Sequence, residues 1–176
     1  MDWQLHLKTL SRNLLSNLDG DFLEILREEG IRDYLGYPPA TIAEIELVQT
    51  KLGFELPDSL KNFFLASNGL HSADAFPVGI ANILPVTELY LLSTCNSRDL
   101  DLHEQYVTEH FGERLAATTT TLENCVVIID LDGNEVGFVI RTKDLDDWPL
   151  VTYDPDGGDF ESYSGFIDLM SSGLNY

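Results

Sequence analysis

Two histidines and two glutamates, His103, Glu104, Glu109 and His110, fall close together in the stretch "LHEQYVTEHF". A single helix face that holds zinc beside a general base needs histidines four residues apart, with glutamate next to the first. Val107 stands where the second histidine would have to be, so that chemistry is not encoded. His103 and His110 are two helical turns apart and could share a metal only against the plainer assignment of a solvated helix face. The stretches "DLDGNE" and "DPDGGDFE" have the look of calcium loops, which require glycine at position six and a bidentate glutamate at position twelve. Counting from Asp130, position six is Glu135; counting from Asp154, it is Asp159, and position twelve is Gly165. Both are better explained as turns. Cys125 leads into an apolar run, where a thiol is an inert small side chain and not a nucleophile. No phosphate-cradling glycine loop, serine elbow or CxxC pair is present, so no cofactor and no catalytic residue is assigned, and the chain is not expected to be an enzyme.

The acids form the more informative pattern. From Asp144 to the C-terminus there is no Lys or Arg, while Asp144, Asp146, Asp147, Asp154, Asp156, Asp159, Glu161 and Asp168 all fall there. The first seven of these are the candidate partner-binding surface. Asp99, Asp101, Glu104 and Glu109 make a second acidic group. A one-sign surface can raise association rates with a basic partner toward ~10⁸–10⁹ M⁻¹s⁻¹ at low salt. Affinity also needs buried anchors, for which Trp148, Tyr153, Phe160 and Tyr163 are the nearby aromatics.

The whole chain has 176 residues, 30 acids against 10 bases and a formal net charge of −20. Binding to nucleic acid depends on cations that displace counterions from phosphates, so direct contact with DNA or RNA is not expected. Anionic membrane surfaces are disfavoured on the same ground, and a basic protein partner is the natural complement. Charge of this size also keeps a protein soluble, and it speaks to association, not to fold. The N-terminus carries Asp2 where a signal peptide would be basic, and no stretch approaches the ~18 apolar residues of a membrane span. A cytoplasmic location follows as an expectation, with Cys95 and Cys125 reduced unless the fold brings them together.

These residues must be positioned by ordinary elements. Trp3, Leu7, Leu10, Leu14 and Leu18 recur at helical spacing, with Asp19-Gly20 as the stop. "DFLEILREEG" predicts a second helix capped by Asp21 and closed by Gly30. "TIAEIELVQTKLG" predicts a third, with a Thr41/Glu44 capping box, a buried stripe of Ile42, Ile45, Val48 and Leu52, and Gly53 at its end. A fourth starts near Pro57 with Asp58 as cap, turns Leu60, Phe63 and Phe64 inward, and ends on Asn68-Gly69. Residues 98–115 predict another amphipathic helix. "CVVIID" and "EVGFVIR" flank Asp132-Gly133-Asn134 as a hairpin, and the unbroken Val126 to Ile129 run predicts a strand covered on both faces. "PLVTYDPDGGDFESY" predicts a second hairpin, and "SGFIDLM" a last helix capped by Ser164. Helices first and hairpins later give one α+β domain, N-terminal helices packed on a mainly antiparallel β-sheet.

The stretch "PPATIAEIELVQTKLGFELPDSLKNFFLASNGL", residues 38–70, closely resembles the opening signature of the SUKH superfamily. Ile42, Glu46, Leu52-Gly53, Leu56-Pro57, Phe63 and Asn68-Gly69 stand close to the places of its pattern, and "ILPVTEL", the Asp132-Gly133 hairpin and "SYSGFIDLM" follow its order of elements. The resemblance divides the domain into an N-terminal helical part (1–37), signature helices (38–70) and a sheet with a helical insertion (80–176). It also implies bacterial immunity: binding and blocking a toxin domain, often a nuclease, whose active face is basic because it must hold phosphates. A regulatory or scaffolding role on an endogenous partner, as among the fungal relatives, is the alternative it leaves open.

Overall fold

The computed structural model describes residues 1–18, 20–28, 30–71, 83–94, 122–130, 136–142, 146–153 and 160–172. Four helices come first: α1 (Trp3–Asn17), α2 (Gly20–Glu28), α3 (Ile42–Leu52) and α4 (Asp58–Ala66). Five strands follow, β1 (Tyr90–Leu91), β2 (Cys125–Asp130), β3 (Val136–Ile140), β4 (Leu150–Tyr153) and β5 (Phe160–Tyr163), and then helix α5 (Phe166–Ser172). The strands form one sheet in the order β1-β2-β3-β4-β5, every neighbouring pair antiparallel. The α+β architecture expected from the sequence is the architecture observed. The 98–115 helix, the threonine run and the turns of both hairpins lie outside the described residues.

Asp2 caps α1 by accepting the Leu5 N–H at 3.1 Å. The spacing of Trp3, Leu7, Leu10 and Leu14 puts all four in the core. Helix α2 begins at Gly20, so Asp21 sits in its first turn instead of capping it, where its charge still favours the helix dipole. Gly30, at φ 86°, ends that helix: its N–H reaches Arg27 O at 3.1 Å and the Ile31 N–H reaches Leu26 O at 2.8 Å, which satisfies two otherwise orphaned carbonyls.

The Thr41/Glu44 capping box is formed in full. Ile45, Val48 and Leu52 are buried, but Ile42 is 65% exposed. At 100° per residue Ile42 lies roughly 120° round the helix from Val48, outside the arc the core can cover. Helix α4 corrects a second expectation. Pro57 is its cap residue, and Asp58 is already in the first turn, paired with Lys61 at 2.8 Å. Leu60, Phe63 and Phe64 are fully buried as expected. Phe63 is the hub of an aromatic cluster, with ring centroids 5.5 Å from Trp3, 5.3 Å from Phe64 and 4.9 Å from Phe166, joining α1, α4 and α5.

Helix α4 stops at Ala66, and residues 68–70 stitch the helices to the sheet. Asn68 Oδ1 accepts the Val86 N–H at 2.7 Å, and the Leu70 N–H donates to Ile83 O at 2.9 Å. Between them Gly69 takes φ 104°, with Ile83 O where a Cβ would have to go. Ile83 in turn bridges to Ile129, and Leu84 N–H donates to Ile128 O at 2.9 Å. Residues Cys125 to Ile129 and all of β3 are buried along their length, so these strands are covered on both faces. A register shift between Val127 and Ile129 is accommodated by Gly137, where a Cβ would lie 2.7 Å from Ile129 Cδ1.

Candidate partner-binding surface

The lysine- and arginine-free stretch enters the fold at the connection between β3 and β4. Asp146 is exposed there and Asp147 is half-buried. Asp147 Oδ1 accepts hydrogen bonds from the Ser59 hydroxyl and from the Trp148 N–H at 3.1 Å, while Oδ2 accepts the Ile167 N–H at 3.1 Å. The last bond is the cap of α5, supplied from twenty residues upstream. Gly165 precedes that helix and has no side chain to offer, and a Cβ at Gly165 would collide with this carboxylate. Ser164, the cap expected from sequence, instead gives its N–H and hydroxyl to Asp168 Oδ2, both at 3.0 Å. Negative charge beside the first turn is favoured by the helix dipole, so Asp147 is held by α4, its own loop and α5 together.

That one bond to Ile167 brings Asp146 and Asp168 to the same end of α5, where Asp168 is also exposed. Glu161 is exposed on β5, which among the described strands pairs only with β4, and it accepts the Tyr163 hydroxyl. Of the seven candidate acids, Asp146 and Glu161 therefore face solvent and Asp147 is tied into the scaffold. Asp144, Asp154, Asp156 and Asp159 lie outside the described residues, as do Asp99, Asp101, Glu104 and Glu109. Among the aromatic anchors, Trp148 is 4% exposed, with its ring 5.8 Å from Phe54, and belongs to the core. Tyr163 is partly buried against that core.

Helix α3 offers two apolar groups the anchor list missed. Ile42 and Leu47 are 65% and 66% exposed, and Glu46 between them is exposed too. The signal was available: Leu47 sits on the opposite side of the helix from the Ile45, Val48, Leu52 stripe, where a polar residue would be the ordinary choice.

Cys125 is fully buried and unpaired, and burial pushes its thiol up to about 12, so it has no nucleophilic thiolate at neutral pH. Among the described residues no group of three or more His, Cys, Asp or Glu side chains converges to hold a metal. His103, His110 and Cys95 lie outside them. No helix among the described residues is long and apolar enough to cross a membrane.

Residues 39–172 match the model of the SMI1 / KNR4 family (SUKH-1). The matched span takes in α3, α4, the whole sheet and α5, and leaves α1 and α2 outside. No curated protein matches the chain.

Proposed function

The chain belongs to the SMI1 / KNR4 family (SUKH-1), and from that premise we propose that it is a bacterial immunity protein that binds and neutralises a basic toxin domain, a nuclease, in the cytoplasm. The observation that carries this reading is the acidity of the stretch from Asp144 onward, which has no cation of its own and displays Asp146, Glu161 and Asp168 to solvent. A nuclease presents cations where phosphates must sit. A negatively charged inhibitor approaches that face with its carboxylates in place of the displaced backbone, acting by binding and without catalysis.

Asp147 supports the display indirectly, by fixing the loop that carries Asp146 against α5. The aspartates and glutamates would set the encounter rate, while apolar contacts such as Leu47 and Ile42 would hold the complex once formed.

Co-expression with a toxin encoded immediately upstream tests the proposal. Growth should be rescued, and the purified pair should bind one to one with an on-rate that falls steeply as salt rises. Asp146→Lys together with Glu161→Lys should slow association ten-fold or more at low salt while leaving dissociation nearly unchanged. A pair that neither binds nor rescues would remove the main support, and capture of an endogenous housekeeping factor instead would favour the regulatory role.

A further inference from the structure

The chain has ten Lys and Arg residues, and four of them, Lys8, Arg12, Arg27 and Arg32, line one groove of about 600 Å³. Its walls are α1, α2 and the segment that follows them. Lys8 and Arg12 lie one turn apart on α1, and Leu23 and Arg27 one turn apart on α2, so each helix presents an i, i+4 pair to the groove. The described cations elsewhere are engaged: Lys61 with Asp58, Lys51 with Leu89 O at 3.4 Å, and Arg141 over the Phe54 ring at 4.4 Å. The four in the groove form no ion pair with any described acid. Like charges gathered at one place repel, and Asp33 is the one acid among the lining residues. An anion in the groove would relieve that repulsion.

The geometry points to a binding site for a nucleoside phosphate. Three guanidinium groups and one ammonium suit phosphate oxygens, the guanidiniums through paired donors and the ammonium as a point charge. The remaining lining is not cationic: Leu15, Leu23 and Tyr34 supply apolar and aromatic surface of the kind that takes a base, and Asp33 is an acceptor for hydroxyl or amino hydrogens. Tyr34 is half-buried against the core, so its ring is a fixed wall. The volume lies within the range of small-molecule pockets. A long acidic peptide or a nucleic acid would meet the field of a protein of charge −20 over its whole length. A compact anion meets it only locally and within a screening distance of ~10 Å at 0.1 M salt. The groove is built from residues that precede the family-matched span.

Calorimetric titration of the whole protein with ATP, GTP, CTP and UTP, alongside inorganic pyrophosphate and a poly-glutamate peptide, tests the assignment. At least one nucleotide is expected to bind one to one, ten-fold or more tightly than pyrophosphate. Arg12→Ala and Arg27→Ala should each weaken it by on the order of ten-fold, with Arg→Lys at either position recovering part of the loss. Far-UV circular dichroism shows whether each variant is folded; should Arg12→Ala unfold, Arg32→Gln carries the same expectation from outside the helices. Failure of all four nucleotides to bind, pyrophosphate binding as tightly as any of them, tighter binding of the peptide, or unchanged affinity in the folded variants would each overturn the proposal. None of these results bears on toxin binding.

Discussion

Asp147→Ala removes a carboxylate that satisfies three donors at once, the Ser59 hydroxyl and the N–H groups of Trp148 and Ile167. Losing a helix cap and stranding the hydroxyl of buried Ser59 should cost about 1–3 kcal/mol in urea unfolding. Asp147→Asn keeps an acceptor oxygen and should recover part of that loss. Asp146→Ala, one residue away and exposed, should change stability by no more than ~0.5 kcal/mol; under the function proposed above, its effect would fall on partner binding. Equal losses at both positions would contradict the division of labour. Cys125 makes a prediction of a different kind. Its thiol is raised from 9.0 to about 12 by desolvation, so at this position the folded protein should resist alkylation at pH 8 and react only on unfolding. The sign of the linkage follows: above pH 9 the unfolded chain releases this proton while the folded chain keeps it. Stability should therefore fall as pH rises between about 9 and 12, by up to ~1.4 kcal/mol per unit, and Cys125→Ala should flatten that part of the profile.

At the scale of elements, Asn68-Gly69 is a joint as well as a helix stop. Its two residues connect the end of α4 to the segment that pairs with β2. Gly69→Ala would place a methyl group against Ile83 O at φ 104°, and a loss on the order of 2 kcal/mol or more is expected, measured as a drop in denaturation midpoint. An unchanged midpoint would mean that the joint yields without cost. How much of this was legible follows from the kind of interaction involved. The capping box at Thr41, the stripe of α1, the buried run of β2 and both strand pairs depend on residues near one another in sequence, and sequence periodicity reports them. The cap of α5 does not, because Asp147 and Ile167 meet only after β4 and β5 have formed, and Ser164 was the nearer but wrong candidate. Ile42 was misplaced because a hydrophobic residue at a helix start fits the pattern but lies beyond the edge of what covers it. The acidity from Asp144 onward was plain in the sequence. That Asp147 within it faces inward while Asp146 faces out required three dimensions.

For the whole molecule, charge acts in two opposite directions. A net charge of −20 on 176 residues repels itself, which opposes compactness, and it attracts a cationic partner, which speeds encounter. Both effects are carried by exposed groups in water, so both are screened as the Debye length shrinks from ~10 Å at 0.1 M to ~3 Å at 1 M salt. Their signs differ, however. Thermal unfolding of the free protein should shift upward as NaCl is raised through this range, because screening removes repulsion that the compact state concentrates. Association with a basic toxin domain should slow over the same range. Few local ion pairs stand in the way of the first effect: among the described residues Lys61 and Asp58 form one, on the surface of α4, and a pair of that kind contributes well under 1 kcal/mol. A midpoint that falls with NaCl would mean that specific attractive pairs, and not net repulsion, dominate the electrostatics of this fold. The acidic surface would then have to be explained as part of the scaffold instead of as a face kept charged for a partner.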